Sequence, residues 1–353
     1  MILSDLAERG LVPDSLVRAG IRHLLKKRLA AETAPDASQR EARLLRFMAE
    51  LDASPIAIET SSANAQHYEV PAEFFRLHLG PRLKYSCCLY PEGRENLAGA
   101  EEAMLALCAE RAEIVNGQRI LDLGCGWGSL SMWLAARFPA AHVVGLSNSH
   151  AQREFIMARA GERGLTNLAI VTGNIVDFDF PAEGIAAGFD RIVSIEMFEH
   201  MKNYRRLFAR LSRWMAEDGR LFVHVFAHRH VAYHFEDKAA DDWMSRHFFT
   251  GGTMPSFDLF DRFDDDLALV EKWWIPGTQY QRTANHWLAH MDAARAPIME
   301  VFRAAYGARR ARLWFRRWRI FYMAVAELFG YAHGTEWGVA HYLFARRAAK
   351  SAS

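Results

Sequence analysis

The 353 residues are 51% hydrophobic and 24% charged, proportions that suit a folded core and exclude disordered and collagen-like chains. The 43 Lys and Arg nearly cancel the 42 Asp and Glu, so a net charge of +1 leaves no basic field for nucleic acid. Cys87, Cys88, Cys108 and Cys125 lack metal-ligand spacing, and adjacent Cys87 and Cys88 would make only a strained disulfide. No metal site and a reduced, cytoplasmic setting are therefore expected. The stretch MILSDLAERGLV has no apolar core of the signal-peptide kind, and no apolar run reaches the ~18 residues that span a bilayer.

Residues 1–60 read as a helical segment without strands. Leu16, Ile21, Leu24, Leu25 and Leu29 recur at helical spacing beside Arg18, Arg22, Lys26, Lys27 and Arg28. AAETAPDASQ reads as a linker, and EARLLRFMAELDAS as a second helix ending near Pro55. The segment is too small for its own core, so it is expected as an appendage of the domain at 61–353. A homodimer would use these helices. From about Gly117, RILDLGC, HVVGLS, LAIVTG, DRIVSIEM and GRLFVHVFA read as strands separated by helical stretches. This alternation predicts an α/β fold with a parallel, doubly wound sheet. Residues from about 231 to 335 break the rhythm with turn signals and aromatics, and are expected as a helical, aromatic substrate cap inserted in the domain. The tail VAHYLFARR reads as an antiparallel edge strand.

Leu121-Asp122-Leu123-Gly124-Cys125-Gly126-Trp127-Gly128 puts three glycines where the first strand turns into a helix, opening the helix N-terminus to a ligand. They fall G-x-G-x-G after an acidic residue, not in the G-x-G-x-x-G spacing of dinucleotide folds. The second strand ends in Ser147 and Asn148, with Gln152 a turn later, where many nucleoside sites carry an acid. Helix capping is the plainer role for Ser147 or Asn148. The pattern D-x-G-x-G-x-G resembles motif I of the class I, Rossmann-like S-adenosylmethionine-dependent methyltransferases. The resemblance implies S-adenosylmethionine as cofactor, bound by Asp122, Gly124, Gly126, Gly128, Ser147, Asn148 and Gln152. After the third strand, Asn174 and Ile175 match the position that holds the adenine.

His67-Tyr68-Glu69-Val70, Tyr85-Ser86-Cys87-Cys88 and Glu196-Met197-Phe198-Glu199-His200-Met201 jointly resemble the cyclopropane-fatty-acid synthase superfamily over roughly residues 60–347. That superfamily includes cyclopropane-fatty-acyl-phospholipid synthases, mycolic acid cyclopropane synthases and coclaurine-type amine N-methyltransferases. The resemblance implies that Tyr68, Tyr85 and Ser86 close over the cofactor. In the cyclopropane branch a bicarbonate ion sits by the reacting carbon, and the positions matching its ligands are Cys87, Glu199, His224 and Tyr280. Other features resemble the amine branch: ERGLVPDSLVRAGIRHLLKKRLA, the doubled cysteine, EHMKNY and, above all, Glu196, which is Gly in the cyclopropane enzymes. Trp318 and Phe321 match aromatic positions of the amine pocket, while Arg317 departs from an aromatic there.

Methyl transfer to an alkene creates a carbocation, which needs a base and an aromatic wall. Transfer to an amine needs a neutral nitrogen, so a carboxylate or imidazole must take its proton. Glu199 and His200 serve either reaction, and Glu196 adds an anion that attracts an ammonium. The plainer roles are a core histidine for His224, a small buried hydrophobe for Cys87 and a packing aromatic for Tyr280. Because His224 and Tyr280 complete the ion-binding set, the expected reaction is methyl or methylene transfer to the double bond of an unsaturated fatty acyl lipid. N-methylation of a small hydrophobic amine is the alternative, and a non-catalytic nucleoside-binding subunit a remote one. Arg309, Arg310, Arg312, Arg316, Arg317 and Arg319 stand at helical spacing beside Trp314, Trp318, Phe321 and Tyr322. This reads as a solvated arginine face over an aromatic stripe; under the lipid reading it would touch anionic head groups at the inner membrane surface. The Trp243–Phe249 region and Trp273-Trp274 are candidates for lining an apolar substrate channel.

Overall fold

In the computed structural model, which describes residues 2–58, 70–238 and 242–347, the five apolar runs pair into the parallel part of a seven-stranded sheet. They are β1 (Arg119–Leu123), β2 (His142–Ser147), β3 (Leu168–Thr172), β4 (Phe189–Ile195) and β5 (Met215–His228). A short hairpin of β6 (Tyr233–His234) and β7 (Thr253–Met254) follows, then β8 (Leu267–Pro276) and β9 (Trp337–Arg346). The order across the main sheet is β3-β2-β1-β4-β5-β9-β8, with β9 antiparallel to both neighbours. Strands covered on both faces read as near-continuous apolar runs. Along β5, Phe222 and Phe226 enter one core, while Leu221, Val223, Val225 and Ala227 enter the other.

Two expectations change. VAHYLFARR is not the sheet edge; β9 lies between β5 and β8. The edge is LALVEKWWIP, whose exposed Glu271 and register shift between Leu269 and Glu271 obscure the strand pattern. A charge and a bulge are common on edge strands, where they discourage pairing with another chain. The cap therefore comes in two pieces, separated by β8, instead of one insertion over 231–335. Trp273 and Trp274 alternate across that strand, one against each core, rather than lining a channel together.

The first helices are α1 (Ile2–Glu8), α2 (Asp14–Glu32) and α3 (Ala37–Ala53), the last capped by Asp36, which accepts from the Gln39 N–H. They do not form one body. Leu44, Phe47 and Leu51 of α3 join the core beneath the sheet, whereas α2 packs on the cap. Next come α4 (Ala72–His78), α5 (Leu97–Arg111), α6 (Ser129–Arg137), α7 (His150–Glu162) and α8 (Tyr204–Trp214). The cap adds α9 (Trp243–His247), α10 (Thr278–Ala293) and α11 (Arg295–Gly330), with a break at Gly307. Arg18 and Arg22 pair with Glu327 of α11, and Glu8 accepts from Trp243 and Arg317. Arg319 pairs with Asp14 and Asp292. These arginines clamp the N-terminal helices to the cap and are not a free cationic face for lipid. Arg309, Arg310 and Arg312 remain exposed. Among the described residues, no helix is long and apolar enough to cross a membrane.

Candidate active site

A cleft opens where β1, β2 and β3 end, the place where parallel sheets bind ligands. Gly124, Gly126, Ser147, Asn148, Gln152, Asn174 and Ile175 line it, joined by Met197, His200, Met201, Thr250 and Gly251. The glycines differ in what they do. All three have positive φ, at 82°, 52° and 77° for Gly124, Gly126 and Gly128. A Cβ on Gly128 would meet Ile156 at 2.8 Å, so Gly128 serves helix packing, whereas one on Gly126 would meet nothing within 4 Å and would project into open space. Asp122 does not line the cleft. It accepts from Ser131 Oγ at 2.5 Å, and burial pushes its carboxyl up to about 6 while Ser131 opposes the shift.

Gln152 is fully buried, and its orientation has a clear cause. Ser147 Oγ donates to its Oε1 at 2.7 Å, so its Nε2 must find a partner elsewhere. Nε2 is buried and has no partner among the described residues. A buried orphan donor on a cleft wall is costly unless a ligand accepts from it. The residues thus suit a nucleoside-bearing ligand with hydroxyl and carboxylate acceptors. Ser149, not Ser147 or Asn148, caps α7. Tyr68 lies outside the described residues. Tyr85 packs among Phe75, Trp287 and Trp318, and Ser86 Oγ accepts from the buried Lys84 Nζ at 2.5 Å; neither lines the cleft.

Beyond the end of β4, three distant segments converge on one carboxylate. Glu196 has φ 47°, a left-handed conformation that costs a non-glycine residue roughly 1–2 kcal/mol. Its Oε1 accepts from the Cys87 N–H at 2.8 Å and lies 3.2 Å from His224 Nε2, and its Oε2 accepts from Tyr280 OH at 2.5 Å. Burial raises its pKa, against the pull of Lys84 and of the hydrogen bonds from the Cys87 N–H and Tyr280. Glu199, also buried, is pushed well above the carboxylate range by burial and then by the charge of Glu196. Its Oε2 has no hydrogen-bond partner among the described residues. Of this coupled pair, Glu199 holds a proton more readily.

This geometry does not support the bicarbonate expectation. Cys87, His224 and Tyr280, expected to hold a free anion, already converge on a carboxylate of the chain itself. Cys87 contributes its backbone N–H; its thiol, kept protonated by burial, donates to the Cys88 carbonyl. Beside the cleft, the His200 ring stacks on Phe249 at 5.9 Å, and Phe249 continues into Phe226, Phe321, Phe248 and Trp318. Trp318 and Phe321 are both buried in this wall. Sequence reasoning missed Lys84, Thr250, Gly251 and Met197. Only Met197 carried a signal, inside the EMFEHM run.

The sheet order, the glycine turn after β1 and the cleft across three strand ends define a class I S-adenosylmethionine-dependent methyltransferase. The family described as mycolic acid cyclopropane synthetase matches residues 57–330, and the chain belongs to it. (S)-coclaurine N-methyltransferase of Thalictrum flavum subsp. glaucum is 37% identical over 344 residues, 96% of this chain and 94% of that protein. Cyclopropane-fatty-acyl-phospholipid synthase of Escherichia coli (strain K12) is 29% identical over 239 residues, 67% of this chain and 58% of that one. Coclaurine N-methyltransferase bound to N-methylheliamine and SAH superposes with a TM-score of 0.93 at 36% identity, covering 97% of this chain and 98% of that one. A cyclopropane synthase of Mycobacterium tuberculosis shares the fold at a TM-score of 0.66 and 20% identity, covering 82% of this chain and 99% of that one.

Proposed function

We propose that this methyltransferase N-methylates a small hydrophobic amine, the alternative in the sequence reading, and that the lipid alkene is not its substrate. The observation that carries this is Glu196: a strained, buried carboxylate fills the position that a free anion would need. Relatives that methylate amines, matched over nearly the whole chain, support the same reading.

S-adenosylmethionine, when bound, supplies an electrophilic methyl group. Gln152, Asn148, Asn174 and the Gly124–Gly126 turn would hold it, with Ile175 against its base. The chain's remaining task is to present a nitrogen lone pair. A buried anion attracts the ammonium form, and the wall of Phe248, Phe249, Phe321 and Trp318 favours a cation over its ring faces. In its ionised form Glu199, whose raised proton affinity narrows the gap to an ammonium and whose Oε2 is unpartnered among the described residues, takes the ammonium proton as the N–H bond breaks and leaves the amine neutral. His200, between the cleft and the aromatic wall, stands where that proton can pass onward. Glu196 stays ionised under its three donors.

The test offers labelled S-adenosylmethionine with heliamine and, separately, with vesicles of monounsaturated phospholipid, and follows the products by mass. A gain of one methyl on the amine is expected, with the acyl chains unchanged. Glu196→Gly removes both the strain and the charge, and should lower amine turnover at least ~10-fold, the scale of a lost charge-assisted contact. Added formate should restore part of it, because the three donors remain. Modified acyl chains with an untouched amine would overturn the reading.

A further inference from the structure

Arg111, at the end of α5, and His341, in the middle of β9, lie outside the residues discussed so far. His341 pairs directly with His224 across the antiparallel β5–β9 ladder. Residues opposed in this way project from the same face. Here that face also carries Phe222, Phe226, Val339 and Leu343. Trp273 of β8 is the next residue in the same row. Arg111 lies over the row, its guanidinium carbon 4.7 Å from the centre of the Trp273 ring and its Nη1 2.9 Å from His341 Nδ1. His341 Nε2 is 2.8 Å from His224 Nδ1, and His224 Nε2 is 3.2 Å from Glu196 Oε1. Four side chains from four segments make one unbroken line.

The line has a direction, and Arg111 sets it. A guanidinium only donates, so His341 Nδ1 must accept. Both rings are fully buried, and burial together with the nearby charges of Lys84 and Arg111 keeps both well below the usual histidine range. A neutral ring that accepts at Nδ1 carries its hydrogen on Nε2. His341 therefore donates to His224 Nδ1, which leaves the hydrogen of His224 on Nε2, facing Glu196. Every hydrogen along the line points toward the carboxylate.

We propose that Arg111 and His341 are positioning residues of the methyl-transfer site: they lock His224 in the Nε2–H tautomer, so that it donates to Glu196 and keeps that carboxylate ionised. This rests on the amine reading of Glu196. Without Arg111, His224 could turn a bare Nε2 lone pair toward the carboxylate, which would favour a protonated Glu196 and weaken its hold on an ammonium. The same atoms also have the outline of a metal site, since Cys108, His224 and His341 offer ligand atoms within 4.8 Å of one another. Arg111 argues against a metal there, because a neutral His341 that accepts at Nδ1 keeps a hydrogen on the nitrogen that would have to ligate.

Two measurements on the full chain test the proposal. Long-range proton–nitrogen NMR of histidine-labelled protein should show His224 and His341 both as Nε2–H tautomers, with signals assigned from the His341→Gln spectrum. A hydrogen on Nδ1 of either ring, or a metal on this pair, overturns it whatever the substrate. Kinetics with heliamine supply the second arm. A Gln amide can accept from Arg111 with its oxygen and donate to His224 with its nitrogen, and Leu can do neither. His341→Leu and Arg111→Met should each lower kcat/KM at least ~10-fold, chiefly through KM, with unchanged cofactor affinity. His341→Gln should stay within about 3-fold of the parent, as expected where the hydrogen-bond polarity survives. Equal losses in folded, cofactor-binding Gln and Leu variants would overturn the relay. If heliamine is not methylated at all, the proposed function fails, while the tautomers still report on the relay separately.

Discussion

The β1–β3 half of the sheet and the β4–β9 half build their sites by opposite means. In the first, consecutive strand–turn–helix units line a cleft with peptide groups and neutral side chains, and its acid, Asp122, faces inward to Ser131. In the second, Cys87, His224 and Tyr280 arrive from separate segments around one buried carboxylate, Glu196. A neutral donor left waiting for a ligand, as Gln152 Nε2 is, costs about 1–3 kcal/mol, less than a buried ion. A buried carboxylate cannot be left in that way, because an isolated ion in a low-dielectric interior is destabilising by several kcal/mol and needs donors already in place. Binding the common cofactor therefore uses local structure, and the chemistry uses tertiary structure.

The sharpest way to separate the halves is Glu199→Gln. It keeps shape and hydrogen-bonding capacity but cannot take a proton, so turnover should fall ~100-fold or more, the usual scale for a positioned base. Cofactor affinity measured by calorimetry should change little. Turnover like that of the parent would move the base to His200 or Glu196.

Gly126→Val attacks the other half. Its branched side chain would be strained at φ 52° and would project into the cleft, so cofactor binding should weaken by at least ~2 kcal/mol, typical of overfilling a close-fitting space. Unchanged binding in a folded variant would mean that the methionine tail lies elsewhere.

The smallest effect concerns stability. The folded pKa of Asp122 is raised from 3.8 to about 6, so between those values the folded chain binds more protons than the unfolded one. Stability from this group is then present below about pH 4 and is lost as pH rises through 6. Melting temperatures of the cofactor-free protein across pH 4–7 should decline less in Asp122→Asn than in the parent. Identical slopes would show that Asp122 stays ionised through the window.

Much of the first half was legible in the sequence. Strand and helix periods, the glycine spacing and the neutral end of β2 are local patterns, and the local chain determines their geometry. Glu196 and Glu199 were legible as residue types beside a strand end, but not in their roles. Nothing local says that the donors expected around a free ion would close on Glu196, or that Glu196 would raise the proton affinity of Glu199. β8 was missed because an edge strand with a bulge and charges loses the alternation that marks a strand.

By itself, then, the sequence determined the parallel sheet, the turn at the mouth of the cleft and several of the residues that line it, because those depend on neighbours a few residues apart. Only the tertiary structure decided which groups meet at the Glu196 carboxylate, that Arg317 and Arg319 bind the N-terminal helices, and that His341 stands opposite His224. Those outcomes depend on strand register and on which buried groups meet, and a side chain's charge and tautomer answer to such neighbours rather than to its place in the chain.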